Sequence, residues 1–274
     1  MVLRAFHIDA FTDAIFKGNP ASVVPLAHWL PDDVMAAMAA EHNLSETAFF
    51  VPRNDGSNII DLRWFTPGGE IELCGHATLA SAYVVFNELG HPGDVVHFHG
   101  RFKGDLFVRR DGDLLTLDFP AVDAVPTPMP QELVRAMGAT PHTILRGDRN
   151  WYAVFDHADT VARMRPDFNV LAAHDARICA TAPGGTCDFV SRFFLPDAGI
   201  NEDPVTGSTH CALTPYWAKV TGKTAMEAQQ LSARGGHLTV SLPSNARVHI
   251  GGKARRYARS EIFLPQYPTA LTGF

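Results

Sequence analysis

The stretch Phe65-Thr-Pro-Gly-Gly-Glu-Ile-Glu-Leu-Cys74-Gly75-His76-Ala77-Thr78-Leu-Ala-Ser-Ala-Tyr-Val-Val-Phe-Asn-Glu-Leu89 decides how this chain folds. It leaves a β-patterned segment, crosses a turn dense in Gly and Pro, and enters a predicted helix over 76–89. Ala77, Leu79, Ala80, Ala82, Tyr83, Val84, Val85 and Phe86 make that helix apolar nearly all round. Such a helix must be enclosed on most of its sides. A sheet curled around it satisfies that demand, so the expected class is α+β, with a mixed sheet wrapped around a central helix.

Working outward, β-patterned runs are predicted at 4–10, 47–51, 59–66, 95–98, 101–108 and 114–119, with a second helix at 32–42. Pro120, Pro126, Pro128 and Pro130 then mark an extended connector. Beyond it the order returns. Helices are expected near 131–137 and 168–173, strands near 143–145, 151–155, 177–180 and 188–195, and a second apolar helix at 208–220. Strands at 230–233, 238–242, 247–250 and 260–264 follow. A shift of 129 superposes Arg63 on Arg192, Phe65 on Phe194, Pro67 on Pro196 and Ile71 on Ile200, around the central strand and its turn. The chain reads as a pseudo-two-fold duplication. One lobe covers 1–120, the second covers 121–259, and the final stretch 260–274 is a candidate to complete the first.

The 274 residues are 46% hydrophobic and 19% charged, with a net charge of −6. That is enough apolar material for two cores, and it offers no overall attraction to nucleic acid or to anionic membrane. Four scattered cysteines (Cys74, Cys179, Cys187 and Cys211) give no disulfide framework and no CxxC pair. A soluble protein of the reducing cytoplasm is expected, since no segment approaches the ~20 apolar residues of a membrane span. Neither GxxxxGK[ST] nor GxGxxG after a strand is present, so chemistry falls to side chains. His97 and His99 share one face of a strand, but no third ligand follows at metal spacing, and no metal is expected.

Three segments carry candidate chemistry. In Asn43-Leu-Ser-Glu46-Thr-Ala-Phe, Glu46 stands where a helix gives way to a strand. In Cys74-Gly75-His76-Ala77-Thr78, free first-turn N–H groups would receive an anion, and His76 could donate to it or act as an acid. In Glu202-Asp203-Pro-Val-Thr206-Gly207-Ser208, a carboxyl, hydroxyls and backbone N–H groups gather at the second helix start. Each alone is an ordinary strand-end glutamate or helix cap. Two helix starts in one duplicated chain point instead to a shared carboxylate site. The expected ligand is a small carboxylate-bearing molecule.

Gly18-Asn-Pro-Ala-Ser-Val-Val, Asn43-Leu-Ser-Glu-Thr-Ala-Phe, Arg63-Trp-Phe-Thr-Pro, Glu72-Leu-Cys-Gly-His-Ala-Thr-Leu-Ala, Leu117-Asp-Phe-Pro and Glu202-Asp-Pro-Val-Thr-Gly-Ser occur in this order over nearly the whole chain. Together they resemble the PhzF-like family of phenazine-biosynthesis isomerases, whose fold is similar to that of diaminopimelate epimerase. The resemblance implies a homodimer that uses no cofactor. It also implies acid/base proton transfer of the kind that isomerises trans-2,3-dihydro-3-hydroxyanthranilate. The family's catalytic glutamate falls on Glu46, and its substrate contacts fall on His76, Asp203 and Ser208. Gly75, Ala77, Thr78, Thr206 and Gly207 are the neighbouring candidates for binding. A two-thiol epimerase carries a cysteine at each central helix start; here Cys74 is matched by Asp203, which disfavours paired thiolates. An amino-acid racemase using Glu46 with Asp203 or Cys74, or a binding protein without turnover, are the other readings.

Overall fold

The computed structural model describes residues 1–196, 199–244 and 246–265. The chain divides into two compact units, one formed by Met1–Asp118 with the chain from Gly252 onward, the other by Phe119–Gly251. The first unit holds β1 (Val2–Ala10), β2 (Asn19–Pro25), α1 (Asp32–His42), β3 (Glu46–Pro52), β4 (Ile59–Thr66), β5 (Gly69–Ile71), α2 (Gly75–Asn87), β6 (Val95–Gly100), β7 (Gly104–Asp111) and most of β8 (Leu114–Pro120). The second holds β9 (Val125–Pro126), α3 (Gln131–Ala136), β10 (Thr143–Gly147), β11 (Asn150–Val154), α4 (Ala158–Arg163), α5 (Phe168–Ala173), β12 (Ile178–Pro183), β13 (Phe189–Leu195), β14 (Ile200–Asp203), α6 (His210–Thr221), β15 (Ala225–Gln230), β16 (Gly236–Ser244) and nearly all of β17 (Arg247–Gly252). β18 (Ala254–Phe263) returns to the first unit and pairs antiparallel with β1.

Strand pairing shows the duplication directly. In the first unit β1–β2 is antiparallel, β2–β3 parallel, β3–β4 antiparallel, β4–β6 parallel and β6–β7 antiparallel. In the second, β10–β11, β11–β12, β12–β13, β13–β15 and β15–β16 repeat that series in the same order. The short strands β5 and β14 each fold back on the central strand before them, and one helix follows each. The fold is therefore α+β, with mixed sheets and an apolar helix in each unit.

Eleven of the thirteen residues of α2 are buried, as its apolar circumference requires. The helix packs against β1, β2, β3 and β18. Its last turn is tied down by charge: the carboxylate of Glu88, only 4% exposed, receives Arg256 and Arg259 from β18. In α6 the buried side is Cys211, Ala212, Leu213 and Trp217, whose indole N–H donates to Thr181 Oγ1 at 3.0 Å.

The residues that align at a shift of 129 make the same interaction twice. Arg63 on β4 grips Glu70 on β5 through Nε and Nη2, both at 2.7 Å, and lies over the Phe65 ring. Arg192 on β13 grips Glu202 on β14 through the same two nitrogens, both at 2.7 Å, over Phe194. Bidentate charge-assisted bonds of this kind fix both partners' planes. Each pair closes the hairpin that leads into a central helix.

Several elements differ from their sequence-based expectation. β2 was not expected, because Pro20 and Pro25 bracket its run; the strand tolerates them at its ends. The 101–108 strand begins only at Gly104, since Arg101–Lys103 form the turn. The 230–233 strand is β15, ending at Gln230, where the alternation of buried Met226, Ala228 and Gln230 stops. The helix expected from Ser208 starts at His210. A lobe boundary at 259 falls inside β18, whose polar outward residues hide a strand that starts at Ala254. Of the stretch 260–274, residues 266–274 lie outside those described. No helix among the described residues is long and apolar enough to cross a membrane.

Removing Arg63 takes the bidentate partner from Glu70, 16% exposed, and leaves it one 3.4 Å contact with Arg101. Arg63→Ala is expected to cost about 3–5 kcal/mol, whereas Arg63→Met with Glu70→Leu should cost far less, because no buried charge is orphaned. Urea unfolding of the two variants checks this; equal losses would show that packing, not charge, governs the hairpin.

Candidate active site

Gly18 turns the chain into β2 with φ +65°, and a Cβ there would sit 2.1 Å from the carbonyl oxygen of Ala10. Only glycine fits. The next residue, Asn19, is wholly buried. On the neighbouring strand, α1 ends at Asn43, which takes a left-handed conformation and donates its N–H to Ala39 O. Three residues later Glu46 opens β3, in parallel register with Ala21 of β2. Asn19, Ala21 and Glu46 thus share the sheet face, since side chains alternate along a strand. Cys74, in extended conformation, and His76, in the first turn of α2, come to that face from the helix start.

These residues meet around the imidazole of His76. Nε2 lies 3.1 Å from Glu46 Oε2, while Nδ1 lies 3.1 Å from Asn19 Nδ2 and 3.4 Å from Cys74 Sγ. The His76 side chain is 6% exposed and that of Glu46 16%, yet Oε2 itself is buried. Part of the Glu46 side chain therefore reaches the surface while Oε2 does not. Burial pulls the pKa of His76 down, but the charge of the Glu46 carboxylate at Nε2 acts the other way and holds it above the ordinary histidine range. Burial, reinforced by Glu46, pushes the Cys74 thiol up, so the thiolate is disfavoured.

Glu46, Cys74 and His76 offer three ligand atoms within 4.8 Å of one another. Sulfur and carboxylate, however, address opposite nitrogens of one ring. A single ion bound at either nitrogen would leave one of them across the imidazole, so the arrangement suits a proton relay better than a metal clamp. The pair His97 and His99 does find a third partner, which its spacing did not reveal. Asp105 Oδ1, from across the β6–β7 turn, lies 2.9 Å from His97 Nε2 and 2.8 Å from His99 Nδ1 on an exposed face. A separate hollow of about 290 Å³ is lined by Trp29, Arg53, Arg63, His99 and Arg101, but its guanidinium groups are taken by Asp61, Glu70 and Asp32.

The remaining candidates sort themselves by their bonds. Gly75 and Ala77 are buried at the helix start, where N–H groups precede the first intrahelical bond. The two donors of Thr78, its Oγ1–H and its N–H, both go to Cys74 O, at 2.5 and 3.1 Å. In the second unit Asp203 is buried and accepts the Thr206 hydroxyl. Thr206 N–H donates to Gln230 Oε1 at 2.8 Å, and Gln230 Nε2 donates to Asp203 O at 2.8 Å. Both donors of Thr206 are thus spent internally. Gly207 is buried, Ser208 is exposed, and the N–H groups of His210 and Cys211 bond back to their carbonyls, so Ser208 belongs to a tight turn ahead of α6. Asn19 and Gln230 were not marked by the sequence reading. Asn19 lay inside a quoted motif without a role, and Gln230 had no local signal.

A duplicated α+β architecture with an apolar helix in each unit is an epimerase-like fold. A hydroxyproline epimerase from Agrobacterium vitis shares the fold at a TM-score of 0.62 and 12% identity, over 95% of this chain and 92% of that one. The chain belongs to the phenazine biosynthesis-like PhzC-PhzF family, whose match runs over residues 8–259. A PhzF-family structure from Enterococcus faecalis superposes with a TM-score of 0.92 at 42% identity, covering 96% of this chain and 100% of its own. An uncharacterized isomerase from Pseudomonas aeruginosa is 46% identical over 265 residues, covering 96% of this chain and 100% of its own. The family and fold support an isomerase-type enzyme.

His210, wholly buried beside this second group, donates Nδ1–H to Thr206 O at 2.8 Å, and burial lowers its pKa to about 4. The unfolded chain binds the proton at an ordinary histidine pKa, and the folded chain refuses it until about pH 4. Stability is therefore full at neutral pH and falls as pH drops through ~6.5 toward 4, by roughly 3 kcal/mol. Urea titrations at pH 7 and 4.5, compared with His210→Gln, should show a smaller acid loss in the variant.

Proposed function

We propose that the protein is a cofactor-independent isomerase in which Glu46 moves a proton on a small carboxylate-bearing substrate. One observation carries this: the partly exposed Glu46 carboxyl group lies with Oε2 buried 3.1 Å from His76 Nε2, at the start of the central helix. Glu46 Oε1 takes a proton from a carbon next to an unsaturated or carbonyl system. The electron pair delocalises into that system, and the same oxygen returns the proton elsewhere on the same face. His76, with Nε2 3.1 Å from Oε2, steadies the charge of the carboxyl group through both steps. A thiol route has less support, because Cys74 faces Nδ1 on the other side of the ring and its thiolate is disfavoured.

Pooled small carboxylates, including trans-2,3-dihydro-3-hydroxyanthranilate and trans-4-hydroxy-L-proline, should be incubated with enzyme in heavy water and read by mass spectrometry. Wild type is expected to introduce deuterium at carbon in at least one compound. Glu46→Gln should lose on the order of 10²–10⁴ of that rate, the share general acid–base catalysis supplies. Cys74→Ser should retain most of it. Incorporation by Glu46→Gln at the wild-type rate, or in no compound at all, would count against the reading.

A further inference from the structure

Around His76, two residues make opposite demands. The Glu46 carboxylate, at Nε2, favours a proton on that nitrogen and draws a second one onto the ring. Asn19, at Nδ1, presents an amide N–H to the nitrogen that a second proton would have to occupy. The thiol of Cys74 stands at the same nitrogen, 3.4 Å away, and remains protonated because burial raises its pKa. Two donors converge on Nδ1, and the arrangement is satisfied only if Nδ1 keeps its lone pair.

We infer that Asn19 is a positioning residue: its side-chain amide assigns the ring's first proton to Nε2, the nitrogen 3.1 Å from Glu46 Oε2, and resists a second proton at Nδ1. The inference rests on the reading of Glu46 as the acid/base group, and it adds what keeps a protonated nitrogen, and not a lone pair, beside that carboxylate. With the proton on Nδ1 instead, Nε2 would turn a lone pair toward the carboxylate and repel it.

The placement of Asn19 is built in at three levels. Gly18 is obligatory by the approach of the Ala10 carbonyl, so the turn admits one geometry. Asn19 pairs with Ala10 of β1 at the start of β2, which fixes its depth. Ala21, two residues on, stands opposite Glu46, so register sets the distance between amide and carboxylate. Charged groups on two of the strands packed against this helix have other partners. Asp9 of β1 accepts Phe16 N–H at 2.9 Å, with His7 Nε2 4.0 Å away, and Arg256 and Arg259 of β18 hold Glu88 at the far end of α2. The titratable groups at the ring itself are Glu46 and Cys74.

The test is ¹⁵N NMR of the histidine rings in the full-length protein, with His76 assigned by its loss in His76→Gln. In wild type, at a pH where the ring is neutral, the Nε2–H tautomer is expected. Asn19→Asp replaces the donor with an acceptor of the same shape and should move the midpoint of Nδ1 protonation up by at least one pH unit. Asn19→Ala should give a mixture of neutral tautomers, and it serves if the aspartate variant fails to fold. A neutral wild-type ring carrying its proton on Nδ1, or one midpoint shared by all three proteins, overturns the inference. The spectra need no substrate. If deuterium exchange also fails to depend on Glu46, it is the catalytic reading that falls, and the tautomer result stands on its own. Where turnover is measured, its pH profile should shift with the NMR midpoint in Asn19→Asp, a change that a purely structural role would not produce.

Discussion

A guanidinium closed over a carboxylate, with an aromatic ring beneath it, is the interaction on which both units depend. Arg63 with Glu70 and Arg192 with Glu202 each lock a hairpin whose exit is the entrance to a central helix. The hairpin could close by backbone bonds alone, but β5 is only three residues long and β14 four. Strands so short hold little register by themselves. The fork geometry of arginine supplies that register, and the residues that follow, Cys74 to His76 in one unit and Asp203 to Ser208 in the other, take their places from it.

Between the two copies the chemistry has diverged while the support has not. In the first unit the helix start delivers an imidazole to a carboxyl group. In the second, the matching region is tied into its own network, with Asp203, Thr206 and Gln230 bonded to one another. An aspartate in a closed network is held in position, and the cost of burying its charge is offset by donors already in place. His76 is in the opposite case, since the groups around it do not agree on its charge, and a group so poised is suited to proton traffic.

Much of this was legible in the sequence. The apolar helix could be read because its composition admits one environment, and Glu46 and His76 could be read because their motifs lie beside abrupt changes of pattern. What escaped was set by space, not by spacing. Asn19 meets His76 across two strands and a helix. Asp105 joins His97 and His99 across a turn. Gln230 sits at the end of β15, and it reaches Asp203 only because parallel pairing with β13 brings it back. The local bond of Thr78 also escaped: a threonine in the first turn of a helix can return its hydroxyl to the carbonyl four residues earlier, and this one does.

The pairing of β18 with β1 bears on how the protein is made. Val2 stands opposite Phe263, and Met1 and Leu264 exchange backbone hydrogen bonds across a sequence separation of 263. The second unit is one continuous segment and has all its strands once residue 251 has left the ribosome. The first unit, although synthesised earlier, keeps one edge of β1 open and the carboxylate of Glu88 without its arginines until β18 emerges. At about 5–20 residues per second, that wait lasts on the order of ten seconds or more. The unit translated first is thus the one completed last, and during that interval its exposed strand edge is the part of the nascent chain that chaperones have most reason to cover.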